Sequence, residues 1–290
     1  MLYRSKDSVF VTKGPLSAVI SVFKNEAPDL YLARLGAERA ISLLEEVAKF
    51  KGVICANIRQ VHIENNYPPV VKRMISATRA MGDDSLTPKA AVAGAIADEV
   101  ADFVFRDEAV SKVVVNNGGD IAIRLRGEQR AKVGIRLSVL DRRVSYILEV
   151  DAKSQIGGTA TSGLGGRSFT KGIASAAVAA ASDASLADAA STVLGNAINV
   201  DDPSIERKLA EEIYPETDIV GHWITTKVGE ISKEKVEEAL RRGLAKAEEL
   251  QKGLILGALL VAKGEVRTSG IMCLSGSLSY AHFHSFLRKV

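Results

Sequence analysis

Between Gly157 and Gly172, six of sixteen residues are glycine, with Thr159, Thr161, Ser162, Ser168 and Thr170 among them. Glycine in a helix interior costs about 1 kcal/mol relative to alanine, so this stretch cannot persist as a helix. It interrupts the apolar pattern in the middle of the chain, and the runs on either side must form their own elements. Read as a loop, it offers successive backbone N–H groups and hydroxyls, the makings of an anion nest. No Gly-Lys-Ser or Gly-Lys-Thr follows, so it is not a P-loop.

The flanking sequence alternates strand and helix patterns. Residues 8–23 read as strands around the turn Lys13-Gly14-Pro15. Helical spacing runs from Pro28-Asp29 to Phe50, Gly52 ends it, and 53–58 reads as a strand. Further helices are expected from Pro68-Pro69 to Met81 and from Thr87-Pro88 to Phe105, Thr87 serving as cap. Strands over 112–116, 121–126, 132–139 and 144–150 read as a meander, with a tight turn at Asn117-Gly118-Gly119-Asp120. Residues 173–180 read as a buried strand, and Ser185 as the cap of a helix through Ala197. A helix over 203–213, an extended run over 219–227, an amphipathic helix over 232–252 and a hairpin over 254–268 complete the chain. The class is α/β in the broad α+β sense: mixed, largely antiparallel sheets flanked by helices. The organisation is a single domain over 1–290 or two intimate α/β halves.

Composition excludes several function classes. The net charge is +3, which leaves no nucleic-acid footprint. The densest basic group, Arg124, Arg126, Arg130, Lys132 and Arg136, alternates with apolar residues and reads as the solvated face of strands. The two cysteines, Cys55 and Cys273, lie far apart, which gives no zinc or redox motif and suits a reducing compartment. Charges at Arg4, Lys6 and Asp7 interrupt any leader-like apolar run, and the later apolar run over 253–262 is too short to span a bilayer. The expectation is a cytoplasmic protein with no membrane partner.

Three local features carry chemistry. The Asn117-Gly118-Gly119-Asp120 turn lets backbone approach a ligand, and Asp120 can accept from a hydroxyl or base edge; a plain hairpin turn uses the same letters. Thr159, Thr161, Ser162 and Gly163 form the candidate nest, with Lys171 at its far end as a phosphate partner or a solvated charge. Asp188 and Thr192, four apart on a helix, share one face and make a hard oxygen set suited to Mg²⁺ beside phosphate. The alternative for Asp188 is a structural bond to nearby backbone or to the Thr192 hydroxyl. His282-Phe283-His284 supplies two imidazoles, short of a closed metal site. His222-Trp223 reads as packing with a polar rim.

Taken in order, Asn117-Gly118-Gly119-Asp120, Ala160-Thr161-Ser162-Gly163 and the helix from Ala187-Asp188 to Thr192-Val193-Leu194-Gly195 resemble the ApbE-like superfamily, related to the FAD:protein FMN transferases. The resemblance covers most of the chain and is best between about Thr87 and Asn196. It implies a T-fold-like architecture, with FAD or FMN at the glycine turns and Mg²⁺ on Asp188 and Thr192. The transferases carry a His-Ile-Ile-Asp-Pro-like segment soon after the Ser-Gly. Here that stretch, Leu164 to Lys171, contains neither His nor Asp. The chain looks closer to a shorter cytoplasmic branch associated with anaerobic sulfur assimilation towards homocysteine. Protein flavinylation is thereby disfavoured. Two readings stay open: a Mg-dependent transferase or hydrolase on a phosphate-bearing small molecule, and a non-catalytic binding or accessory protein with a protein partner. A homo-oligomer is compatible with both. Both require the Asp188 helix to face the two glycine turns across a shared cavity.

Overall fold

The computed structural model describes residues 1–138, 141, 143–272 and 287–290. Expectations attached to Val139, Arg142, Cys273, His282 and His284 lie outside the described residues. In chain order the elements are β1 Leu2–Arg4, β2 Val9–Lys13, β3 Leu16–Lys24, β4 Ala27–Pro28, α1 Leu30–Ala48, α2 Lys51–Ile54, α3 Pro69–Ala80, α4 Val92–Phe105, β5 Lys112–Asn117 and β6 Asp120–Leu125. They continue with β7 Arg130–Ile135, β8 Tyr146–Asp151, β9 Gly158–Ser162, β10 Ala176–Ala181, α5 Ala184–Ala197, β11 Ile205–Leu209, α6 Ala210–Ile213, β12 Trp223–Val228, α7 Lys233–Leu250, β13 Gly257–Ala262, β14 Glu265–Gly270 and β15 Leu287–Lys289. Two compact units result: Met1–Ala131 with Val150–Ala160 and Ala180–Ala189, and Lys132–Glu149 with Thr161–Ala179 and Ala190–Val290.

In the first unit the strand order is β1-β2-β3-β5-β6-β9, antiparallel at every step. Period-two alternation in β3 buries Leu16, Ala18, Ile20 and Val22 on one face. Helices α1 and α4 pack on the strands. They bring Ala33, Ala37, Ala40 and Leu43 together with Ala97, Val100 and Val104 in one core. Full burial of one Val, Leu or Ile contributes about 1.5–3 kcal/mol, so this layer dominates the unit's stability. The Asp29 side chain caps α1 by accepting from the Leu32 amide at 2.9 Å, as the Pro28-Asp29 start signal implies.

The second unit holds β10-β13-β14, the pair β11-β12 and the three-stranded order β15-β8-β7. Helix α7 packs on β13 and β14, and Ser232 caps it through the Lys235 amide at 3.3 Å. The all-alanine-and-valine strand β10 is buried at every position. Alanine favours helix by local propensity, but small side chains also suit a strand buried on both faces.

Several expectations are corrected. The glycine-rich segment is not a loop at its start: β9 runs through Gly158–Ser162, and Thr159, Ala160 and Ser162 are buried. Its glycines answer to close approach. A Cβ at Gly157 would sit 1.9 Å from the Ser182 carbonyl oxygen, and one at Gly158 would sit 2.2 Å from the Ala184 nitrogen. The expected four-strand meander ends after two strands, because β9 takes the edge of β6 through Ile121↔Thr159 and Ala122↔Gly158. Residues 53–58 are not a strand: α2 contains Gly52, and Asn57 caps a following 3₁₀ turn through the Arg59 amide at 3.0 Å. Within residues 203–213, Ile205–Leu209 form strand β11, held by pairing with β12, and only Ala210–Ile213 is helical. The extended run over 219–227 starts late, at Trp223, after a turn closed by the His222 amide on Ile219 O. Thr87 occupies the N-cap position of the Pro88–Ala91 3₁₀ turn without making the cap bond.

The contrast between two glycines tests this reading. Gly127 has a positive φ of 62° and open space around a would-be Cβ, whereas Gly158 faces backbone. Gly127→Ala should cost about 1–2 kcal/mol, the left-handed penalty alone. Gly158→Ala should cost more, about 3 kcal/mol, because backbone must move. Urea denaturation of both variants measures the difference.

Candidate functional site

Helices α4 and α5 cap each other through residues of the first unit. Asp98 of α4 is fully buried, and its carboxylate accepts from the Ala184 amide at 3.1 Å and the Ser185 amide at 2.8 Å, the first turn of α5. Asp188, one turn into α5, accepts in return from the Gly94 amide of α4 at 2.9 Å. Each carboxylate thus satisfies orphan donors at the positive end of the other helix. The helices meet at Gly94, where a Cβ would lie 2.2 Å from Ala184 O and 2.9 Å from the Asp188 Cβ. Asp183 completes the start of α5 by accepting from the Leu186 amide at 2.8 Å. It displaces Ser185 from the expected cap; the Ser185 hydroxyl instead donates to Asp183 at 2.6 Å.

A buried ion network holds Asp98. The guanidinium of Arg124 on β6 donates to Asp98 at 3.0 Å, to Asp102 at 2.8 Å and to the Gly157 carbonyl at 3.0 Å. Arg73 on α3 pairs with Glu99 at 3.1 Å and Asp102 at 2.8 Å, and lies 3.5 Å from Asp98. Burial pushes the Asp98 carboxyl above its usual range, with Arg124, the Ala184 amide and Arg73 pulling the other way. Burial likewise opposes charge on Arg124, but Asp98 and Asp102 outweigh it and raise its pKa. The basic group read as solvated is therefore corrected at two positions. Arg124 and Arg126 are both partly buried, Arg124 paired with Asp98 and Asp102 and Arg126 donating to the carbonyls of Phe105, Asp107 and Val110.

The glycine turn sits against the same helix end. Asn117 and Asp120 close the β5–β6 hairpin as register partners, with φ of 73° at Gly118 and 117° at Gly119. Asn116 Oδ1 accepts from the Gly119 amide at 2.9 Å, and Asn117 Nδ2 donates to Ala93 O at 3.1 Å. The residue next to Ala93, Gly94, is the one bonded to Asp188. So the hairpin and α5 converge on one peptide of α4. The Asp188 carboxyl is held well above its ordinary pKa, first by burial and then by the neighbouring Asp120 carboxylate, against the Gly94 and Ala93 amides. Two surface hollows in this unit lie elsewhere. One of about 260 Å³ is lined by residues that include Arg59, His62 and Arg79, and one of about 190 Å³ by residues that include Arg124, Gln155 and Ser182. Neither is lined by Asp120 or Asp188, so the shared cavity expected between the Asp188 helix and the glycine turns is not one of these hollows.

The family model described as AbpE bacteria matches residues 1–268. The chain belongs to this family. A UPF0280 protein of Methanosarcina barkeri is 37% identical over 142 residues, 49% of this chain and 53% of that protein. A UPF0280 protein of Methanopyrus kandleri is 34% identical over 165 residues, 56% of this chain and 64% of that protein. The matched region thus spans between about half and two thirds of those relatives' length. Among solved structures, the ApbE protein of Thermotoga maritima aligns with a TM-score of 0.50 at 14% identity, over 93% of this chain and 97% of that one. The apo flavinyl transferase ApbE of Pseudomonas stutzeri aligns with a TM-score of 0.51 at 12% identity, over 92% and 96%. At such identities the likeness is one of fold: this AbpE-family chain has the ApbE-like fold.

The AbpE-family fold gathers some of the expected site residues in the first unit: Asn117, Gly118, Gly119, Asp120, Thr159 and Asp188. Asp120 and Asp188 feel each other directly, and Asn117 is tied to the segment that binds Asp188. Thr161, Ser162, Gly163, Lys171 and Thr192 belong to the second unit. There the Lys171 amide donates to Asn196 Oδ1 at 3.0 Å, and the Lys171 carbonyl accepts from Thr225 Oγ1 at 3.1 Å. Thr159 and Ser162 are buried strand residues, which removes the open nest expected at that point. The structural alternative for Asp188 is also realised in its bond to Gly94. Sequence reading missed Asp98, Arg73 and Arg124 as a unit. The available signal was Asp98 and Asp102, four apart on a helix whose remaining residues apart from Glu99 are uncharged. Trp223, expected to pack, is 58% exposed.

Removing Asp98 strands Arg124 without its buried partner. Asp98→Ala should cost about 3–5 kcal/mol. Adding Arg124→Met should recover part of that loss, an interaction energy that a double-mutant cycle in urea reads directly.

Proposed function

We propose that this chain binds a phosphate-bearing small molecule, a flavin nucleotide first among them, together with Mg²⁺ on Asp188. The observation that carries the reading is the nearness of the Asp188 and Asp120 carboxylates beside a two-glycine turn, where burial and like charge make the ionised form of Asp188 costly and a cation would relieve that cost. Among the described residues, no three His, Cys, Asp or Glu side chains gather into a metal cluster. A cation here therefore rests on two carboxylates completed by carbonyl, hydroxyl, water or phosphate oxygens, the set that suits Mg²⁺ and disfavours zinc. Thr192, one turn on along the same helix, is the hydroxyl that the spacing offers. Family membership and the fold shared with the flavinyl transferase of Pseudomonas stutzeri support flavin as the ligand class.

Bound Mg²⁺ would neutralise charge at a phosphoryl centre. The chain's own residues would do the rest. Gly118 and Gly119 leave the turn's backbone open to a ligand, and Asp120 accepts from a ligand hydroxyl when it is not on the cation. The Gly94 amide keeps the Asp188 carboxylate aimed. The transferase or hydrolase reading rests on that arrangement. A second reading, a binding or accessory protein, is favoured by one observation: Leu164 to Lys171 offers no His or Asp to a reacting phosphate. A cytoplasmic location and a role beside sulfur assimilation towards homocysteine belong to this proposal; only two cysteines in 290 residues fit the former.

Thermal shifts with FAD, FMN and ADP, with and without Mg²⁺, test it. A ligand at a hundredfold excess over its Kd stabilises by about 2.7 kcal/mol. The expected result is a Mg²⁺-dependent rise for at least one flavin nucleotide, lost in Asp188→Asn, whose amide oxygen still accepts from Gly94. No shift under any condition sinks the ligand reading. Release of FMN from FAD selects the enzyme over the accessory protein.

A pH series adds a signed expectation. The folded pKa of Asp188 is raised, so the folded state binds this proton more tightly than the unfolded one. Without Mg²⁺, its contribution to stability is full below the ordinary carboxylate range and is lost as pH rises through the raised value. The Mg²⁺ response should run the opposite way, growing as the proton leaves. Paired melts across that range, with and without Mg²⁺, measure both slopes.

A further inference from the structure

The hollow of about 260 Å³ in the first unit lies between the 3₁₀ turn at Ile58–Gln60 and the C-terminal end of α3. It is smaller than the roughly 300–1,000 Å³ of sites for drug-sized ligands, so it suits a molecule of few atoms. Ile58 and Val61, both buried, give it an apolar lining. Gly82 follows the end of α3 with a φ of 64° and open space where a Cβ would stand. That left-handed step turns the chain back, so that Asp83 and Asp84 line the same hollow as Arg79. The Val61 carbonyl accepts from Arg79 Nη2 and anchors the guanidinium there.

The lining carries arginine and aspartate in equal number, and only one pair is closed. Arg59 donates to the Asp84 carboxylate. Arg79 makes no ion pair among the described residues, and its only bond is the one to the Val61 carbonyl. Asp83 Oδ1 accepts from the Ser85 amide at 2.9 Å and the Ser85 hydroxyl at 2.6 Å, while its Oδ2 has no bond among the described residues. The other charged groups on these segments have partners. Lys72 donates to the Asn65 carbonyl at 2.7 Å, Glu64 faces the Tyr67 hydroxyl, and Lys89 is also engaged. Arg79 and Asp83 thus line one hollow without meeting, four residues apart. A simple anion there would face two aspartates, and a simple cation two arginines. A molecule that carries both charges answers both ends.

We infer that this hollow binds a small zwitterion of the α-amino-acid class. Its carboxylate meets Arg79, its ammonium meets Asp83, and a short apolar side chain lies against Ile58 and Val61. The imidazole of His62, which also lines the hollow, is a further hydrogen-bonding group for the ligand. This inference does not depend on the ligand proposed for Asp188, which does not line the hollow.

Calorimetric titration of the full chain with L-alanine, L-valine and L-methionine tests it. The controls are the amide of the tightest binder, which lacks the carboxylate, and its N-acetyl form, which lacks the ammonium. At least one amino acid should bind, and each control should bind roughly tenfold more weakly, about 1.4 kcal/mol. Arg79→Gln should remove the preference for the amino acid over its amide. Asp83→Asn, which keeps an oxygen for Ser85, should remove the preference over the N-acetyl form. Circular dichroism checks the fold of both variants, and Arg79→Lys, which keeps the charge, should retain part of the binding. Absence of binding by all three amino acids overturns the inference, as does an affinity that neither substitution changes. Controls that bind as tightly as the amino acid overturn it too. An N-acetyl form that binds equally well and is lost only in Arg79→Gln would make the hollow an anion site instead.

Discussion

The reciprocal capping of α4 and α5 is the constraint on which the rest of the first unit depends. Each helix lends a carboxylate to the other's N-terminal amides: Asp98 to Ala184 and Ser185, and Asp188 to Gly94. Neither acid can be exchanged for an apolar residue without orphaning donors on the opposite helix. Glycine at 94 is forced by the same contact, since any larger residue would strike Ala184. The closeness of the two helices then dictates what reaches the hairpin turn. Asn117 holds Ala93, the residue before Gly94, and Asp120 is left beside Asp188.

The two capping acids differ in how their charge is met. Asp98 is answered by arginines from α3 and β6, so burial is offset by fixed cations. Asp188 has amides in front of it and another carboxylate nearby. One acid is thus part of the scaffold. The other is held above its ordinary pKa by burial and by Asp120, and on that difference the proposed cation site rests.

Elements with local signals were legible in the sequence. The Asp29 and Ser232 caps, the Gly118-Gly119 turn and the β13–β14 hairpin around Lys263-Gly264 follow from neighbouring residues alone. The failures share a cause, a partner far away in the chain. Glycines at 157 and 158 look like flexibility until the backbone of Ser182 to Ala184 is beside them. Residues 205–209 look helical until β12 arrives, and Arg124 looks solvated until Asp98 and Asp102 are found on α4. At the site, the order of motifs pointed to Asp188 and Asp120. It did not reveal that Asp188 is already bonded to Gly94, because that contact spans 94 positions.

That span bears on how the protein is made. The first unit is assembled from 1–131, then 150–160, then 180–189, so its last pieces leave the ribosome only after much of the second unit's early sequence. Until β9 emerges, β6 presents an unpaired edge, and until α5 emerges, the amides at the start of α4 lack Asp188. Such edges template aggregation, and long-range closures of this kind are slow. The nascent chain therefore passes through an obligatory interval in which its best-formed sheet is incomplete, and a holding chaperone has a defined surface to shield.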